Sequence, residues 1–189
     1  PYATATTTTM PAMAKQAETT VYKNVQSNPF TRVHRRPTRS DYEILKSEAG
    51  VLASKVEDIT YAWSKNNTDN YGLLGDILGE DEYDKLTGIG TYTIPTEPVS
   101  YDPTITNATF THERKRKEEE WELVRTSWFI RKGFLRGIVD NLRNALDEQY
   151  YSQLRNRLTA YRNVTPFQIL EHLNNCWCPL DVRVKKALK

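Results

Sequence analysis

From Trp121 to Leu142 the sequence places apolar side chains at alternating steps of three and four: Trp121, Val124, Trp128, Leu135, Ile138 and Leu142. Arg131 fills the one slot that breaks this series. Only an α-helix brings such positions onto one face, and that face must be covered. With Thr109 or Thr111 as its cap, the helix is expected over about residues 112–145. A fold class follows: mainly α, a multi-helix bundle.

The front of this helix reads HERKRKEEEW. Arg114, Lys115, Arg116 and Lys117 run into Glu118, Glu119 and Glu120. The i,i+4 pairs stand in the less favourable order of cation before anion, worth about 0.2–0.5 kcal/mol each at best. The cations also oppose the positive end of the helix dipole. The run reads first as a self-neutralised, solvated helix front and second as a set of RNA contacts. Gly133 and Gly137 lie inside the same pattern. Each costs about 1 kcal/mol relative to Ala in a helix interior, so they mark a bend or a face where another helix comes close. Arg131, Lys132 and Arg136 exclude a membrane reading of this GxxxG spacing.

The rest of the chain divides by composition. Residues 1–37 are rich in Thr, Ala and Pro and end in RVHRRP, and are expected to be a disordered basic tail. Residues 38–90 are expected to be an acidic helical segment. Ser40 and Glu43 offer a capping box, and Leu45, Ala49, Leu52, Val56, Ile59 and Trp63 form a stripe on a helix over about 41–64. Two short helical pieces follow, around 73–78 and 81–86, with Gly79 and Gly88 as C-terminal stops. Residues 91–108, with Pro95, Pro98 and Pro103, are an extended connector. Residues 109–189 form the main helical region. There DEQYYSQLRNRL predicts a helix over 148–158, capped by Asp147, with Tyr150, Leu154 and Leu158 on one face. In NVTPFQILEHL, Thr165 and Gln168 make a capping box, Pro166 takes N1, and Val164 and Ile169 make a hydrophobic staple for a helix over 166–176. A last helix is expected from Asp181.

The net charge of +2 conceals a division. Residues 1–40 hold six Lys/Arg and one acid, residues 41–109 four and thirteen, residues 110–189 sixteen and ten. Such segregation suits head-to-tail self-association, or a basic end facing a polyanion. Besides the run at 114–117, Arg155, Arg157 and Arg162 are candidate phosphate contacts. A helix-turn-helix is excluded, because the connector from Thr159 to Thr165 exceeds the ~3–4 residues that motif uses.

No enzyme is expected. His34, His112 and His172 stand in no metal-ligand or nucleophile motif, and His172 reads as a surface or boundary residue. Cys176 and Cys178, one residue apart, make neither a disulfide framework nor a zinc knuckle. No catalytic, cofactor-binding or metal-binding residue is assigned, and no small-molecule substrate. With no secretory signal or apolar span in the sequence, the chain is expected in the cytoplasm or nucleus, away from membranes.

From Trp121 onward the order of elements is similar to a known family. A Trp-led helix passes into GIVDNL, then EQYYSQL, then LTAYRNVTPFQILEHL. This resembles the gag-like capsid region of copia-type LTR retrotransposons, of the kind found in unicellular algae, over about residues 112–189. The resemblance implies an all-α capsid domain that self-associates into particles around the element's RNA. It implies core roles for Trp121, Trp128, Leu135, Ile138, Tyr150, Leu154, Ile169, Leu170 and Leu173. A CCHC knuckle and a DTG or DSG protease triplet, both absent here, are expected downstream in a longer polyprotein. The function expected is therefore a gag-type capsid segment, with the chain itself as first partner and RNA as second. The alternatives are a host helical adaptor or scaffold, and a basic helical RNA- or DNA-binding module.

Overall fold

The computed structural model describes residues 10–56, 71–88, 90, 92, 97, 98 and 111–178, with side chains from Lys15 and, in the long helix, from His112. The protein is mainly helical. Among the described residues the α-helices are α1 (Met10–Gln26), α2 (Arg39–Ser54), α3 (Glu80–Thr87), α4 (Thr111–Ala145) and α5 (Pro166–His172). Short 3-10 turns at Leu74–Asp76, Glu148–Tyr150 and Ser152–Leu154 and a π turn at Leu173–Trp177 complete the set. No strand occurs among these residues beyond an isolated bridge between Asn156 and Ala160.

The long helix α4 is the axis on which the others pack. Phe134, Ile138, Val139, Leu142 and Ala145 enter one buried cluster with Tyr42, Leu45, Ala49 and Ala53 of α2, and with Ile169, Leu170 and Leu173 around α5. The sequence segments 38–90 and 109–189 thus share a core.

Residues 10–37 are a correction. The expected disordered tail instead carries α1, which packs against α4. Contacts advance together along the two helices. A Cβ on Gly133 would meet the carbonyl oxygen of Glu18 at 2.3 Å, and one on Gly137 would meet Val25 Cβ at 2.8 Å. The two glycines therefore permit a close parallel approach. Gln26 Nε2 donates to Gly137 O at 2.9 Å, and buried Asn141 donates to Val25 O and Asn28 O at 3.0 and 2.9 Å. Asn141 thus adds a second bond to Val25 O, which also accepts from Asn28 N–H at 3.1 Å, and bonds Asn28 O just past α1, while Gln26 bonds a carbonyl within α4. Beyond α1, Phe30, Val33 and Pro37 are buried, and Val33 N–H donates to Ala145 O at 2.8 Å. The segment is ordered by α4 rather than by its own propensity. The composition of α1 is polar because one face against the glycines of α4 is what it buries.

Helix α2 starts one turn-half earlier than the expected Ser40 box. Thr38 is the cap: its hydroxyl accepts from Asp41 N–H, and the Asp41 carboxylate accepts from Thr38 N–H at 2.8 Å. Two overlapping boxes are encoded, and the upstream one gains Arg35 as a partner for Asp41 at 2.9 Å. Glu43 pairs instead with Arg39. Leu45 and Ala49 are buried and Leu52 and Val56 lie at the core margin, while Ile59 and Trp63 fall outside the described residues. Gly88 ends α3 in the left-handed region (φ +67), as a C-terminal stop, whereas Gly79 is the N-cap of α3 and not a stop.

The expected helix over 148–158 is replaced by two 3-10 turns and a bridged loop. Asn156 Oδ1 accepts from the backbone of Leu158 and Thr159, an alternative to helical bonding. Tyr150 and Tyr151 are both buried, which one helical face cannot provide, and Leu158 is 95% exposed. The Thr165–Gln168 capping box and Pro166 at N1 stand as expected. The helix from Asp181 lies outside the described residues.

One polar contact crosses this core. Arg131, the slot that interrupts the apolar series, is buried and grips Asp76 with two bonds, Nε to Oδ2 at 2.9 Å and Nη2 to Oδ1 at 2.6 Å. Tyr92 Oη donates to the same Oδ2 at 3.0 Å. Its ring lies where a Gly75 side chain would stand, 2.1 Å from the ideal Cβ position.

Three outcomes follow for stability. Gly133→Ala and Gly137→Ala are expected to cost about 1–3 kcal/mol through overpacking, although Ala is the better helix former by about 1 kcal/mol. Gly50→Ala, with its Cβ 3.5 Å from Leu74 Cδ1, is expected to stabilise by up to about 1 kcal/mol. Urea unfolding of the three variants reads the opposite signs. Removing one member of the buried pair, by Asp76→Asn or Arg131→Met, is expected to cost about 3–5 kcal/mol, and Asp76→Leu with Arg131→Met to cost less than the two single losses summed. A double-mutant cycle measures this.

The third outcome concerns pH. Burial pushes the Asp41 carboxyl up, but the Thr38 hydroxyl and amide and the Arg35 guanidinium together hold it below its usual value. Thr38→Ala is expected to cost about 1 kcal/mol at neutral pH. A depressed carboxyl contributes stability above its unfolded value and loses it as pH falls through its folded value. The gap between wild type and Thr38→Ala therefore narrows as pH falls below about 4, leaving the cap bond from Asp41 N–H to the Thr38 hydroxyl, as unfolding midpoints across an acid series would record.

Candidate functional site: a cationic groove beside the long helix

A groove of about 940 Å³ runs between the second half of α4, the loop from Thr159 to Thr165, and Glu18 of α1. Helical spacing places Trp128, Lys132, Leu135, Arg136, Val139 and Arg143 of α4 along it, and the loop contributes Tyr161, Arg162 and Val164. The docking of α1 on the two glycines brings in the remaining wall.

Two cations of this groove, Lys132 and Arg136, rest on rings and form no ion pair among the described residues, while Arg143 lies between a ring and the Asp140 carboxylate. The Arg136 guanidinium lies 4.7 Å from the Tyr22 ring centroid, Arg143 lies 4.6 Å from that of Tyr161, and Lys132 Nζ lies 5.7 Å from that of Phe129. Such contacts hold a cation in place without neutralising it. Arg131 also lines the groove, but Asp76 neutralises it. The groove's own acids are Glu18 and Asp140. Asp140 accepts from Tyr22 Oη at 2.9 Å and meets Arg143 at 3.4 Å. That hydrogen bond, with burial, pushes the Tyr22 phenol up. Tyr161 is pushed up by burial first and by its bond to Glu148 second. Both phenols stay neutral, so Lys132, Arg136, Arg143 and Arg162 set the sign of the groove.

The sequence-predicted cations divide into three places. Arg162 lines the groove. Arg155 and Arg157 are exposed on the bridged loop outside its lining. Arg114, Lys115, Arg116 and Lys117 are exposed on the first turns of α4. Lys117 precedes Trp128 by a helical distance of about 16 Å. At that front Lys115 meets Glu119 at 4.0 Å and Arg116 meets Glu120 at 3.9 Å, with every side chain more than half exposed. Pairs of that kind contribute about 0–1 kcal/mol.

The residues expected in the core are also divided. Ile138, Tyr150, Ile169, Leu170 and Leu173 are buried, and Leu135 and Leu154 sit at the core margin. Trp121 and Trp128 are corrections: both are half-buried and stand outside the cluster, Trp121 beside Arg125 and Trp128 beside Arg131. The reason is geometric. Trp121, Trp128, Leu135 and Leu142 are seven apart, and a straight helix drifts about 20° per heptad. Going back from Leu142, the series turns progressively off the core face. That face follows Ser127, Arg131, Phe134, Ile138 and Ala145 instead. Phe134, fully buried, was missed because it lies between two steps of the heptad reading. Lys132, Arg136 and Arg143 were missed as site residues because only the α1 and 159–165 contacts gather them. Their i, i+4 and i+11 signal from Lys132 was nonetheless present, at 132, 136 and 143.

Cys178 is buried, donates to Thr38 O at 3.2 Å, and has its thiol pushed up by burial. Cys176 is exposed, with Sγ 3.6 Å from His172 Nδ1 on a half-buried ring. Among the described residues no group of three or more His, Cys, Asp or Glu could hold a metal ion, and no helix is long and apolar enough to cross a membrane. Compared with models of known protein families, with curated proteins and with solved structures, the chain matches none.

Proposed function

We propose that this chain is a gag-type capsid segment of a retrotransposon polyprotein, which self-associates through helix faces and holds element RNA on its basic surfaces. The likeness of TAYRNVTPFQILEHL and the elements before it to the copia-type capsid region motivates the reading. The observation that carries it is the reach of α4. Among the described residues, no member of the buried cluster on α4 precedes Ile130. The helix nonetheless begins at Thr111, about 24 Å ahead of Ser127, the first buried residue of its core face among the described residues. That stretch presents Leu123, 49% exposed, between charged rows. A helix front that carries an exposed leucine between charged rows is a suitable element for packing against other copies. The exposed cations at 114–117, with Arg155 and Arg157, are placed to meet phosphates. A host helical adaptor would present comparable faces to another protein, and self-association separates the two readings.

Light scattering after gel filtration is the test. At low salt and high protein concentration the mass is expected to exceed the 21.9 kDa of one chain, and to rise further with added single-stranded RNA. A strict monomer under both conditions would sink the capsid reading. RNA affinity is expected to fall with salt at a slope of about −0.7 per phosphate neutralised, and a slope near zero would remove RNA as a partner.

A further inference from the structure

We propose that the cationic groove receives helix α3 of a second copy of this chain. The inference rests on the self-associating reading above and names the surfaces that meet. Within one copy, α3 is not among the elements lining the groove. Its acids are free to look outward. Tyr83 is buried and holds the helix to the core, and Glu82 is engaged by Lys46 at 2.6 Å. Glu80, Asp81 and Asp84 remain exposed, and their spacing puts them on one side of the helix. The three form no ion pair among the described residues.

Size and charge agree. Eight residues of α3 span about 12 Å, and the α4 wall from Trp128 to Arg143 about 22 Å. Lys132 and Arg136 are held on rings and form no ion pair among the described residues, Arg162 is exposed at the groove, and Arg143 sits between the Tyr161 ring and Asp140. A carboxylate-bearing helix supplies what Lys132 and Arg136 lack. The rings argue for carboxylates over nucleobases. The faces of Tyr22 and Tyr161 are already covered by Arg136 and Arg143, whereas a single-stranded nucleic acid site needs open faces on which bases stack. Each copy carries one groove and one α3, so the contact can repeat from copy to copy.

Charge reversal in the full chain tests this. One protein carries Lys132→Glu and Arg136→Glu, the other Glu80→Lys and Asp84→Lys, with circular dichroism confirming the helical fold of each. A milder pair, Lys132→Gln with Arg136→Gln and Asp81→Asn with Asp84→Asn, serves if a reversed protein fails to fold. Each altered protein alone is expected to self-associate at least roughly tenfold more weakly, since like charges now face one another. An equimolar mixture of the two reversed proteins is expected to recover association, read by sedimentation equilibrium. Unchanged association in the altered proteins, or a reversed mixture that recovers nothing, overturns the proposal while leaving self-association by other faces intact. Groove variants that lose binding of a single-stranded oligonucleotide but keep their self-association also overturn it, and assign the groove to RNA. A wild-type chain that stays monomeric throughout overturns this inference together with the reading beneath it.

Discussion

Helix α1 meets the long helix where the latter has no side chains. At Gly133 and Gly137 the backbone of α4 is approached so closely that a single methyl would collide with Glu18 O or Val25. Much of the molecule depends on that approach. It orders residues that have little apolar content of their own. It places Asn141 where it donates to Val25 O and Asn28 O at the end of α1, and Val33 against the last turn of α4. It also carries Tyr22 to Asp140 and Arg136, which shapes one wall of the groove. Two residues unfavourable to an isolated helix thus become the condition for its packing.

The buried pair of Arg131 and Asp76 is the second constraint. Burial alone would disfavour the Arg131 charge, and the bonds to Asp76 more than offset this. A buried pair of this kind adds little net stability compared with apolar residues of similar size, but losing one member is costly. Its effect is on placement. It ties the turn at Leu74–Asp76, and through Tyr92 part of the connector, to one position on α4. It also takes one positive charge out of the groove, leaving Lys132, Arg136, Arg143 and Arg162 to determine what can bind there.

Charge segregation in the chain becomes a spatial arrangement in the fold. Acids gather on α3, close to the start of α5, where Gly79 faces Phe167. Cations gather in the groove and on the front of α4. Surfaces of opposite sign on one rigid body give orientation as well as attraction to any association between copies. The exposed ion pairs at the front of α4 are too solvated to contribute much to stability, so their charges remain available for outside partners.

Helix α4, the Thr165 cap, the buried side chains around α5, and the mainly α class are all legible in the sequence. Each follows from local periodicity or from bonds within one turn. Gly133 and Gly137 are legible as a close-approach face, but not the partner. That partner is α1, over a hundred residues earlier, in a segment whose composition resembles a tail. The same limit hides the site. Lys132, Arg136 and Arg143 read as the polar side of a helix, and become a groove only when α1 and the 159–165 loop close on them. Two aromatic residues, Trp121 and Trp128, read as core because heptad spacing was followed along a straight helix, where 3.6 residues per turn carries them aside. The sequence by itself therefore determined α2, the long helix α4 and the capped start of α5, and where charge of each sign lies, but not α1 or the irregular stretch after Asp147. Only the tertiary structure decided which faces are buried, because burial depends on contacts between residues far apart in the chain.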